Sequence, residues 1–134
     1  VAPLAGVRLT FSAVVATLLV LTLVAFGLAA LGLCLAWQLD STQGFHAIMN
    51  LVLLPMWVLS GALFPSQGAS AWLAMAMQAN PLTYGLGAIR HALYLADPAA
   101  VGAVPAFVPA IGVTVIFSAV MFAGAVWVAK RKRQ

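Results

Sequence analysis

Three apolar stretches of this chain, residues 9–39, 45–64 and 106–129, contain no charged side chain. A helix crosses about 30 Å of hydrocarbon with about 20 residues, each rising 1.5 Å. Each stretch is therefore long enough for one crossing, and the first is too short for two crossings and a turn. The composition agrees. Of 134 residues, 65% are hydrophobic and 6% charged, where a soluble domain has roughly 45–50% and about 25%. Such a surface excludes a soluble enzyme, a disordered tail and a nucleic-acid-binding domain.

The charges stand at few places: Arg8, Asp40, Arg90, Asp97 and the run Lys130, Arg131, Lys132 and Arg133. That run follows the third stretch and Trp127, so it reads as a cytoplasmic anchor against anionic lipid rather than a nucleic-acid patch. The orientation follows. The C-terminus and the turn at Asp40 are cytoplasmic, and the start of the chain and residues 66–105 are external. Arg8 falls on the minority side. Cys34 has no partner for a disulfide and reads as a small packed hydrophobe. His46 reads as a headgroup-level polar residue. The chain begins with Val1 and lacks signal-peptide features, and it is expected to be a fragment of a longer protein.

Small residues at Ala25, Ala29, Gly32 and Ala36 recur at spacings of three and four, which marks a face for close helix packing. Pro55 interrupts the second stretch and removes a backbone hydrogen bond. Ser60 and Gly61 follow, and Pro65 closes the segment. Residues 71–79 and 82–95 are apolar but too short to cross, and Asn80-Pro81 breaks between them. They are expected to form a re-entrant helical hairpin over about residues 69–96, carrying Arg90 and His91. The alternative, in which residues 69–96 cross, gives four spans. The expected architecture is an all-α integral membrane domain over residues 1–134. It has three transmembrane helices, at about 10–38, 45–64 and 106–129, plus the external hairpin.

Asp40 and Asp97 lie in turns, and the chain has no glutamate. An ion-coupled transporter usually buries ionisable groups within its spans, so that class is disfavoured. A phosphate-binding loop with lysine is also missing, so an energy source would come from another polypeptide.

The run from Leu54 to Pro65, with Pro55, Ser60, Gly61 and Pro65, resembles the fifth-span motif of ABC transporter permeases of the type-2 exporter class. Asn80-Pro81-Leu82-Thr83-Tyr84, with Arg90 six residues beyond Tyr84, resembles that family's second motif. The resemblance covers essentially the whole chain and corresponds to the C-terminal half of a six-span permease. It implies efflux of a hydrophobic drug, lipid or glycan-type substrate across the cytoplasmic membrane. It also implies an ATP-binding cassette ATPase subunit as partner, a second permease subunit, and no hydrolytic residue, cofactor or metal in this chain. Pro55, Ser60, Gly61, Pro65, Asn80, Pro81, Tyr84 and Arg90 become pathway or gating residues. A membrane scaffold without a partner ATPase is the competing reading.

Overall fold

The structure is a computed structural model that describes residues 10–63 and 69–131. All regular structure among these residues is helical. Helix α1 is Phe11–Ala36, α2 Thr42–Val58, α3 Ala71–Ala79, α4 Pro81–Leu93 and α5 Phe107–Arg131, with a 3-10 turn at Pro98–Val101 before α5.

Polar residues at the interruptions set the helix ends. Thr10 caps α1 by accepting from the Ala13 N–H at 3.2 Å. Ser41 caps α2 by accepting from the Gly44 N–H at 3.3 Å. At the end of α1 the Gln38 side-chain amide donates to the Cys34 carbonyl at 2.9 Å. These side chains serve backbone groups that have no partner within the helix. Two helices, α1 with 26 residues and α5 with 25, are long and apolar enough to cross a membrane. Helix α2 has 17 residues and stops at Val58, earlier than the expected residue 64. Pro55 lacks the N–H that would bond the Leu51 carbonyl, and past Val58 the Ser60 N–H turns back to the Trp57 carbonyl at 3.2 Å. Gly61, at φ +87°, then takes the chain away in a left-handed conformation. Ser60 and Gly61 thus lie beyond the helix, not within it. The expected closing residue Pro65 lies outside the described residues, as do Arg8, Lys132 and Arg133.

The core sits between α1, α4 and α5, around Val20, Ala88, Ala92 and Ala110. Buried positions are small or carry hydroxyls: Ala13, Gly27, Ala30, Thr114, Ser118 and Ala125. The large apolar side chains point out, with Phe11 87%, Val108 81% and Leu19 68% exposed. Water would not tolerate that much outward apolar surface, while lipid favours small residues between helices.

Helices α1 and α5 run parallel. Val20 packs with Ala110 near their starts. The Ser118 hydroxyl donates to the Leu23 carbonyl at 3.1 Å. Phe26 meets Phe122 with ring centroids 5.4 Å apart, and the Cys34 thiol donates to the Met121 carbonyl at 3.2 Å. Helix α4 runs antiparallel to both. Gly85 near its start lies against Val24, midway along α1, while His91 near its end stacks edge-on against Phe107 at the start of α5. The elbow between α3 and α4 therefore stands at half the depth of the long helices.

The close-packing face of α1 is not the expected one. Ala25, Ala29 and Ala36 are exposed, and Gly32 is half-buried against Met49 of α2. The buried face carries Ala13, Val20 and Gly27 at a spacing of seven, followed by Ala30. Small residues do not choose the face by themselves; the close neighbour does. A Cβ on Gly27 would stand 2.6 Å from Ser118 Oγ and 3.1 Å from Phe117.

That contact gives a paired test. Gly27→Ala should lower stability by about 1–3 kcal/mol through overpacking. Gly112→Ala, with open space around its Cβ, should be neutral or gain up to about 1 kcal/mol of helix propensity. Thermal unfolding in one detergent reads both.

Candidate functional site

Four carbonyls at the end of any helix lack an intrahelical donor, and in hydrocarbon each unsatisfied group costs several kcal/mol. The end of α2 meets this problem partly through its own continuation and partly from another element. The Pro55 carbonyl accepts from the Leu59 N–H at 2.9 Å. The Trp57 carbonyl accepts from the Ser60 N–H and, at 2.6 Å, from the Ser60 hydroxyl. Residues 24 positions along the chain serve the next two. The Asn80 amide Nδ2–H donates to the Met56 carbonyl at 2.7 Å. The Thr83 hydroxyl lies 2.7 Å from the Met77 carbonyl and 3.2 Å from the Leu59 carbonyl, and shares its proton between them.

Asn80 does two jobs with one side chain. Its Oδ1 accepts from the Leu82 N–H at 3.1 Å and so caps α4. Pro81 occupies the first position of α4, where its missing N–H costs nothing. An amide supplies a donor and an acceptor together. Aspartate would supply only the acceptor. The two sequence motifs are thus one structure: the second closes the carbonyl end of the first while it starts the next helix.

Beside this junction lies a cavity of about 170 Å³, lined by Ser60, Gly61, Thr83, Arg90 and residues 103–105. A wider one of about 490 Å³ adjoins it through Met77, Thr83 and residues 103–105, and extends past Gln78 and Tyr84. The connection before α5 forms one wall, and α4 holds it closely. A Cβ on Gly87 would stand 3.2 Å from Pro105 Cδ, and the His91 Nε2–H donates to the Pro105 carbonyl at 3.1 Å. Gly102 in this wall has φ +78°, and its Cβ position lies 3.8 Å from Arg90 Nη1. A side chain there would be strained, and its Cβ would come into contact with the guanidinium.

Most of the sequence-derived residues meet here. Ser60 and Asn80 are buried, Gly61 and Arg90 line the narrower cavity, Tyr84 lines the wider one and Pro81 starts the helix between. Pro55 does not join them. It is exposed in the last turn of α2, and it bears on the site by ending that helix. Of the basic run, Arg131 stacks over Trp127 with its guanidinium carbon 3.9 Å from the ring centroid, an arrangement suited to a membrane interface. Sequence reasoning passed over Thr83 as a site residue, and it missed the wall at residues 103–105 entirely. Thr83 carried a signal, a hydroxyl three positions after a helix cap. The wall did not, because Ala103, Val104 and Pro105 act through their backbone and bulk.

Asn80→Ala should lower stability by about 2–3 kcal/mol, the sum of a lost cap and a buried carbonyl left unpaired. Asn80→Asp should lose about as much, although it retains the cap acceptor. Thermal unfolding of both variants checks the donor role, because a pure capping residue would tolerate aspartate.

Among known families, the model of the ABC-2 type transporter matches residues 1–94, a range that takes in α1 to α4. Neither the curated proteins nor the solved structures compared with the chain give a match. The matched region holds the carbonyl end of α2, the Asn80 junction and Arg90, and it spans more than half of the sequence. The chain belongs to the ABC-2 type transporter family.

Proposed function

We propose that the chain forms the C-terminal half of a six-span ABC exporter permease that moves a hydrophobic drug, lipid or glycan-type substrate out across the cytoplasmic membrane. ATP hydrolysis is assigned to a separate ATP-binding subunit, and a second permease subunit completes the pathway. The chain itself contributes no hydrolytic residue. The observation that carries this reading is the junction at Asn80. It joins two family-like motifs into one element beside a cleft, in a bundle whose outer surface is apolar.

The proposed topology has three spans, α1, α2 and α5, with α3 and α4 as an external re-entrant hairpin. Parallel α1 and α5 support it. If residues 69–96 crossed once as an extra span, α5 would run opposite to α1. Helix α2 at 17 residues reaches about 25 Å. The basic end of α5 supports a cytoplasmic C-terminus and a cytoplasmic Asp40 turn.

Two measurements test this. In a Cys34→Ala background, Ala99→Cys should react with an impermeant thiol reagent from outside and Ser41→Cys should not; the reverse pattern overturns the orientation. In proteoliposomes holding the complete permease and its ATP-binding subunit, Ser60→Ala and Pro55→Ala should each lower substrate-stimulated ATP turnover several-fold. Unchanged coupling in both removes the pathway role of this motif.

A further inference from the structure

Arg90 is half-buried in the narrower cavity, and among the described residues its guanidinium has no hydrogen-bond or ion-pair partner. The chain has two acids. Asp97 is exposed beyond the end of α4, and Asp40 belongs to the turn between α1 and α2, at the opposite end of the bundle from the close of α4. Arginine keeps its charge under all ordinary conditions and offers five donors in a planar fork. A cation held in a membrane bundle without a counter-charge is costly, and such residues mark ligand paths. Proximity to the carbonyl end of α4 offsets part of the cost, yet the side chain makes no hydrogen bond to those carbonyls.

Two further polar groups around the joined cavities are also unengaged among the described residues: the Tyr84 hydroxyl and the Gln78 amide at the wider mouth. Thr83 and Ser60 donate their hydroxyl protons to carbonyls of α2 and α3, and neither oxygen accepts from Arg90. The space of about 170 Å³ beside the guanidinium is several times the roughly 30 Å³ share of one water, enough for a tetrahedral oxyanion. Gly102 keeps the approach to Nη1 clear.

We propose that Arg90 is an oxyanion site that takes a phosphate group, with Tyr84 and Gln78 facing the remainder of the molecule in the wider cavity. The guanidinium fork matches two phosphate oxygens. The group could arrive on a phospholipid headgroup or as free phosphate, and the recognition chemistry is the same. This inference rests on the membrane setting of the chain and does not require that it transport anything.

The test is a binding titration of the purified protein in uncharged detergent, without nucleotide or ATPase. The probes are dihexanoyl phosphatidylglycerol, inorganic phosphate, and dihexanoylglycerol as the phosphate-free analogue. The phospholipid should bind and the phosphate-free analogue should bind at least about tenfold more weakly, the scale of one charge-assisted contact. Arg90→Gln should abolish that preference, Arg90→Lys should retain part of it, and Arg131→Gln should leave it intact. Saturable, Arg90-dependent binding of inorganic phosphate assigns the site to the free ion as well; its absence assigns the site to headgroups. Equal binding of phospholipid and phosphate-free analogue by the unaltered protein overturns the proposal whatever the variants do. So does an unchanged preference in Arg90→Gln.

Discussion

One side-chain amide ties the end of one helix to the start of another, and the site of this structure is built on that tie. Helix α2 ends at Val58, Gly61 then takes the chain away in a left-handed conformation, and the carbonyls at the helix end need donors from elsewhere. Asn80 and Thr83 supply them from 24 residues away. The same amide starts α4. Packing against α1 and α5 holds α4 at its depth, and this exchange ties the end of α2 to it. The energetic argument is one of avoidance: a hydrogen bond adds little net stability, while an unmade one in hydrocarbon costs several kcal/mol.

Around that junction the bundle is built with its bulk on the outside. Gly27, Gly85 and Gly87 let α1, α4, α5 and the wall at residues 103–105 approach until side-chain hydroxyls and ring edges touch backbone. Ser118 and Cys34 spend their hydrogens on carbonyls of the neighbouring long helix. Dispersion and a few buried polar contacts hold these helices, because lipid removes the hydrophobic drive that would gather them in water. Helix α2 stands apart, without a buried residue of its own. Its firmest attachment is its end, so α2 and the elbow form one mechanical unit with the cleft at their meeting point.

Much of this was legible in the sequence. Charge-free length gave α1 and α5, and the Asn-Pro step gave the break between two short helices. Pro55, Ser60, Gly61, Asn80, Pro81, Tyr84 and Arg90 were singled out by their resemblance to two motifs of the family, with Pro55 and Asn80-Pro81 also legible as interruptions of apolar helices. What could not be read is equally physical. The packing face of α1 is chosen by its partner, and the stripe at Ala25, Ala29, Gly32 and Ala36 is indistinguishable in pattern from the true face at Ala13, Val20 and Gly27. Hydropathy carried α2 past Val58, since Leu59, Ala62 and Leu63 are as apolar as a span; the turn at Ser60 and the left-handed Gly61 that end the helix leave no mark in hydropathy. The wall at residues 103–105 acts through backbone atoms, which leave no trace in side-chain type.

The central claim is that the α3–α4 elbow stands half-way along the long helices and returns. A cysteine pair reads this directly. The Cβ position of Gly85 lies 3.1 Å from Val24 Cγ2, within reach of a disulfide. In a Cys34→Ala background, Val24→Cys with Gly85→Cys should cross-link under mild oxidation in membranes, while Phe11→Cys with Gly85→Cys should not. Cross-linking at Phe11 and none at Val24 would place the elbow at the surface and contradict the account.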